Sequence, residues 1–424
     1  MRAATDVTLL GRRRVALALG ALSLGALAGG CGERNAGRAP GAVVLRHPKL
    51  FGDPRPLDTL LAGFERAAGV HVRRATLPAS SDEQHLFYAI NLQARSTEFD
   101  VLALDAIWAA EFAQAGWLRD LSHRLAAEER ADLFPGPLAA VTWRGRVYAL
   151  PWFADAGLLY YRTDLLERHH LAPPRTWDDL VAAAHAVTRA ASDVHGFVWQ
   201  GKQYEGLVCN ALEFVWSHGG GLDEADVPAA ARGLAFMRSL VTANVTPDYV
   251  TTLTEEPTRV AFGRGGALFL RNWPYAWRLF ERADSPVRGR VGVSVLPHAP
   301  GAAPAATLGG WQLGVNAFSP HPEAAERLAA FLTAAPAQKA LALAYGYSPP
   351  RRSLYADAEL AAAQPFLPRL RAVLEAARPR PVSPHYVALS QTLQAEFSAV
   401  LVGERAPEAA LAAIGRAAAA LERR

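Results

Sequence analysis

Short apolar strands alternate with amphipathic helices over the first part of this chain, stop, and resume near Arg290. That interrupted rhythm constrains the fold more than any single motif. Ala42 to Arg46 reads as a strand, and Pro56 to Ala68 as a helix with Leu57, Leu60, Leu61 and Phe64 at helical spacing before Gly69. Val70 to Leu77 alternates as a strand, Asp82 to Arg95 reads as a helix, Asp100 to Leu104 is β-rich, and Ala106 to Ala115 is helical up to Gly116. This succession predicts a mostly parallel sheet covered on both faces, with ligand positions beyond the carboxyl ends of its strands. Asp105 stands at such an end.

Helices then dominate: Asp164 to His170, Trp177 to Ala190 behind Thr176 as N-cap, Gly206 to His218 ended by Gly219 to Gly221, and Ala229 to Ala243. Thr258 to Phe262 leads through Gly263, Gly265 and Gly266 into an apolar strand, Ala267 to Leu270. Pro274, in Arg271-Asn272-Trp273-Pro274-Tyr275-Ala276-Trp277, suits the first turn of a helix. Strands return at Val291 to Leu296 and Leu308 to Asn316, followed by helices at Pro322 to Leu332, Pro336 to Ala344 and beyond. A sheet pattern that stops and resumes predicts an α/β protein of two lobes, each assembled from separated segments: 42–152 with 288–333, and 153–287 with 334–424. Ala149 to Arg162 carries the chain between them as one extended apolar segment holding Trp152, Asp155 and Tyr160. A carboxylate among aromatics at that crossing marks Asp155 as a candidate ligand residue.

The chain of 424 residues exceeds one ordinary core and suggests about two or three compact units. Its formal charge of +4 falls to near neutrality once the first 30 residues, with Arg2, Arg12, Arg13 and Arg14 against Asp6, are set aside. Such a balance argues against a nucleic-acid partner, which favours a clustered basic face.

Arg12 to Arg14 precede an apolar run, Val15 to Ala28, of the length of a signal h-region and too short to span a bilayer. Leu27-Ala28-Gly29-Gly30-Cys31 then resembles the lipobox of bacterial lipoproteins, although Ala28 stands where that pattern places leucine. The resemblance implies a signal peptide over 1–30, lipidation of Cys31, and attachment to a membrane through it. The arginine run also resembles a twin-arginine export signal, leaving the route open between that and the general one. Residues 31–41 read as a tether. With Cys31 lipidated, only Cys209 remains, which excludes an internal disulfide and a cysteine-based metal site; Cys209 reads as a small buried hydrophobe.

Ala149 to Arg162, Gly263 to Trp277, Gly309 to Asn316 and Gly346 to Tyr355, in this order, resemble the extracellular solute-binding proteins of ABC importers, in the branch that binds maltose, trehalose and related sugars. The resemblance implies a periplasmic-binding-protein-like fold, with two βα lobes joined by a hinge of crossing strands and a sugar enclosed between them. It implies an extracytoplasmic, monomeric receptor without a cofactor, delivering a carbohydrate to the importer's permease subunits and catalysing nothing. Sugar hydroxyls need hydrogen-bonding partners when buried, and the C–H faces of the ring pack on aromatic side chains.

Position by position, Asp105 and Asp155 match the family's cleft carboxylates. Trp273 and Tyr275 match its aromatic platform, Gly310 and Trp311 the pair that closes over the sugar, and Arg380, with Arg378 as rival, its cleft arginine. Asp82 and Gln84 lie where relatives place further polar contacts. Many relatives carry a sugar-contacting glutamate soon after the first strand, whereas this chain has His47, Pro48, Lys49, Phe51, Gly52 and Asp53. That departure bears on which sugar is bound. A glycerophosphodiester or another polyol is kept open by Arg271, Arg351 and Arg352, and a glycan-cleaving reaction by the pair Asp105 and Asp155.

Overall fold

The computed structural model describes residues 42–78, 80–191 and 193–423. The expected signal peptide, Cys31 and tether lie outside the described residues. The strands are β1 Val43–His47, β2 Val72–Thr76, β3 Val101–Asp105, β4 Thr142–Trp143, β5 Arg146–Val147, β6 Ala149–Ala156, β7 Leu158–Arg162, β8 His195–Val198, β9 Ala267–Asn272, β10 Val291–Ser294 and β11 Leu308–Val315. Five of them form a first sheet in the order β2-β1-β3-β11-β6, four form a second in the order β10-β7-β9-β8, and β4 and β5 make a small hairpin. Each sheet supports its own apolar core, the first around Leu45, Leu102, Leu104 and Leu313, the second around Leu159, Phe197, Phe214 and Phe269.

The sheets are mixed, not mostly parallel. β1 runs parallel to β2 and β3, but β11 is antiparallel to both β3 and β6; in the second sheet only β8 and β9 are parallel. β11, on which the chain returns from the second sheet, runs opposite to both of its neighbours.

The crossings also differ from the expected boundaries. Ala149 to Arg162 is two strands: all of β6, Asp155 included, stays in the first sheet, and the chain passes to the second at Gly157. A Cβ at Gly157 would overlap Glu213 Oε1, so the crossing needs a residue without a side chain. β10 pairs with β7 in the second sheet, which moves the return crossing from residue 288 to the segment between Ser294 and Leu308. The helix Ala335–Tyr345, expected in the second lobe, contributes Leu341 and Tyr345 to the first core, since its apolar face meets the helix Arg55–Ala68.

A third apolar cluster joins the lobes. It contains Phe134, Ala154 and Leu308 from the first side, Tyr160 and Leu270 from the second, and Leu354, Leu367 and Leu374 from the C-terminal helices. One helix, Glu205–Ser217, is buried along its whole length and brings Glu205, Cys209 and Glu213 to this junction. Cys209 is a buried free thiol, pushed up by its apolar surroundings. Among the described residues no helix is long and apolar enough to cross a membrane.

Candidate functional site

Strand direction alone assembles half of the site. β3 and β6 flank β11 and both end at the same edge of the first sheet. There Asp105 pairs in register with Trp311, and Asp155 with Gly309. Between those partners Gly310 adopts φ 117°. A Cβ there would press on the Phe153 carbonyl and Ala154, and the register with β6 shifts just beyond, between Trp311 and Gln312. The Trp311 ring stands edge-on to Trp108 at 5.9 Å.

Asp155 is 8% exposed, and its Oδ1 has no hydrogen-bond partner. Burial pushes its carboxyl up to about 7, with Arg271 drawing it down and Asp105 adding to the rise. Beside it, Phe153 stacks on Tyr347 at 4.0 Å between centroids. A buried carboxylate oxygen left without a donor is costly, and a ligand hydroxyl would relieve that cost.

The second lobe supplies the facing wall. Trp273 follows β9 directly, and a Cβ on Gly309 would touch its indole at 3.2 Å, so the ring lies against the glycine strand of the other lobe. Arg271 underlies this ring at 3.8 Å and is itself held by Glu213 through Nε to Oε2 at 2.8 Å and Nη2 to Oε1 at 2.6 Å. The Trp273 Nε1–H reaches Glu255 Oε1 at 3.5 Å, while Tyr275 donates its hydroxyl to Glu256 at 2.9 Å. The adjacent acids that open the helix Glu255–Gly263 thus fix both rings. Pro274 leads into only a five-residue helix, Ala276–Phe280.

Arg380 spans the lobes. It donates from Nη2 to Asp105 Oδ1 at 3.0 Å and from Nη1 to Glu205 Oε1 at 2.7 Å, and its buried Nε has no partner. Glu205 also accepts from Tyr386 at 2.7 Å and from Ser390; burial raises its carboxyl against the pull of Arg380. Arg378 instead places its guanidinium over Trp216 and its backbone beside Thr307. Asp82 joins from the helix Ser81–Gln93, its carboxyl raised by burial and by the neighbouring Asp105.

The structure therefore gathers Asp105, Asp155, Gly310, Trp311, Trp273, Arg380 and Asp82. The Gln84 amide donates to Pro78 at 2.8 Å while its Oε1 is buried without a partner, and one face of Tyr275 is covered by Phe51. Glu205 and Glu213, the partners of Arg380 and Arg271, escaped sequence reasoning. The available signal was two acids, at helical spacing, in an otherwise apolar helix. Among the described residues no group of His, Cys, Asp or Glu is arranged to hold a metal ion.

Comparison with known proteins agrees with this architecture. The sequence profile of the bacterial extracellular solute-binding proteins matches residues 51–339. A probable ABC transporter-binding protein of Deinococcus radiodurans is 37% identical over 82% of this chain and 86% of its own length. The mannitol-binding protein of Pseudomonas aeruginosa is 27% identical over 76% of this chain and 80% of its own. The structure of maltose-bound T. maritima MalE3 superimposes with a TM-score of 0.84 at 41% identity, covering 88% of this chain and 98% of that one. With a two-lobed α/β fold and a family profile spanning most of its length, the chain belongs to the bacterial extracellular solute-binding proteins.

Proposed function

We propose that the protein is a lipid-anchored receptor that binds a di- or oligosaccharide of the maltose or trehalose type between its lobes and delivers it to an ABC importer outside the cytoplasm. The observation that carries this reading is the unpartnered Asp155 carboxylate oxygen, buried beside the Trp273 indole at the junction of the two lobes. A carboxylate beside an aromatic ring is the pairing that a sugar's hydroxyls and C–H face require. The likeness to a maltose-bound protein at 41% identity supports the same class.

The three arginines that favoured a phosphodiester are engaged elsewhere. Arg271 is held by Glu213, Arg351 bonds Glu129 and the Thr333 carbonyl, and Arg352 sits over Phe134. The mannitol-binding relative favours a second reading, a linear polyol, which would use the same carboxylates with less need of Trp273. Asp105, weighed as half of an acid–base pair, is tied to Arg380, which suits it to binding. Closure on the ligand would follow from its tighter binding to the closed state, and the closed surface is what the permease would read.

Titration calorimetry with maltose, trehalose, sucrose, longer glucans and mannitol tests the ligand class. Heat with a saccharide supports the receptor, heat with mannitol alone selects the polyol, and silence throughout removes both. Cell fractionation of wild type and Cys31→Ser tests the anchor, which requires the variant to leave the membrane fraction.

A further inference from the structure

One face of Tyr275 is already occupied. Phe51, in the segment after β1, stacks on it across the two lobes, with centroids 5.5 Å apart and planes at 22°. Tyr275 is the fixed partner: its hydroxyl bonds Glu256, which is gripped by Arg259 at 2.8 Å. Phe51 is brought there by the turn at Gly52, whose φ of 149° lies in glycine's range and which packs on Tyr345.

Beyond this stack lies a groove of about 470 Å³, lined by Phe51 and Asp53 from one lobe and by Arg278, Glu281, Arg282 and Asp284 from the other. That volume falls in the range of small-molecule sites, and both signs of charge offer partners to hydroxyls. Phe51 thus lines this groove while stacking on Tyr275, which is two residues along the chain from Trp273. Tyr275 can present that face to Phe51 or to a sugar ring, but not to both.

We propose that Phe51 sets the length of saccharide this protein accepts: its stack on Tyr275 walls off the outer groove, and a ligand longer than a disaccharide gains the groove only by displacing it. The proposal rests on the sugar-receptor reading.

The test measures Kd for maltose, maltotriose and maltotetraose with the full chain, for wild type, Phe51→Ala, Phe51→Leu and Phe51→Trp, with thermal melts to confirm folding. Phe51→Ala should tighten maltotetraose relative to maltose by about tenfold, the scale of one lost aromatic stack. Phe51→Leu should shift the ratio the same way by less, and Phe51→Trp should keep the wild-type ratio. An unchanged ratio in the alanine and leucine variants, with maltose affinity intact, overturns the role of Phe51 and leaves the receptor reading standing. Wild-type protein that binds no saccharide removes both.

Discussion

Arg271 and Glu213 lock together through two hydrogen bonds, at 2.8 and 2.6 Å, with both side chains almost wholly buried. Glu213 Oε1 also accepts from the Thr307 amide at 3.0 Å, on the segment returning to the first lobe, and lies where Gly157 makes the outward crossing. One buried ion pair thus braces both crossings and the floor beneath Trp273.

Glu213→Ala should strand the Arg271 charge in the interior. We expect a loss of about 3–5 kcal/mol of unfolding free energy, against a smaller loss for the shape-conserving Glu213→Gln. Urea unfolding of the three proteins measures it, and equal stability of wild type and alanine variant would show that the pair contributes nothing.

Asp155 predicts an inverted pH dependence. Its folded carboxyl, near 7, lies above the ordinary value of 3.8, so the folded state holds the proton more tightly. This group's contribution favours folding at low pH and declines as pH rises from about 4 to 7, by roughly 4 kcal/mol in all. Asp155→Asn should accordingly be more stable than wild type at pH 8, with the difference fading near pH 4. The same variant should bind saccharide about tenfold to a hundredfold more weakly, since a bond to a charged group is lost. Thermal melts across pH and calorimetry at pH 7.5 read the two effects separately.

Arg380→Gln removes the cation shared by Asp105 and Glu205. Glu205 is the group at risk, because burial already raises its carboxyl above the usual 4.5. The variant should lose about 3 kcal/mol at pH 8 and less at pH 4.5, where Glu205 takes up a proton and its burial costs less. A pH-independent loss would assign Arg380 a packing role only.

Gly310→Ala places a Cβ at φ 117° against the Phe153 carbonyl. We expect a cost of about 2–3 kcal/mol in stability and a weakened site, since Trp311 and the β6 register move with it. Gly63→Ala, half-buried in the interior of the helix Arg55–Ala68 with room for a Cβ, should by contrast stabilise by about 0.5–1 kcal/mol.

Much of the fold was written in local pattern. The helix Trp177–Thr188 begins at its Thr176 cap, as the sequence indicates, and Asp179 completes the box. β1, β3 and β11 fall within about a residue of their apolar runs. β8 went unseen because His195-Gly196-Phe197-Val198 is too short and too interrupted to show a period. β10 was seen as a strand but set in the wrong lobe, because apolar alternation carries no information about which sheet accepts it. Around the candidate site, the family's motifs singled out Asp105, Asp155, Trp273 and Arg380, which the fold brings near one another. The hydrogen bond from the Gln84 amide to the Pro78 carbonyl could not be read from local pattern.

The sequence by itself determined the alternation of elements, the two-lobed class and the residue types available for a polar, aromatic cleft, because periodicity and glycine or proline punctuation act over a few residues. Only the tertiary structure decided that β11 returns antiparallel between β3 and β6, bringing Asp105 and Asp155 to one edge. It alone joined Arg380 to Glu205 across 175 positions and set Phe51 on Tyr275. Those pairings depend on burial and on partners distant in the chain, where desolvation and fit, not local propensity, select the contact.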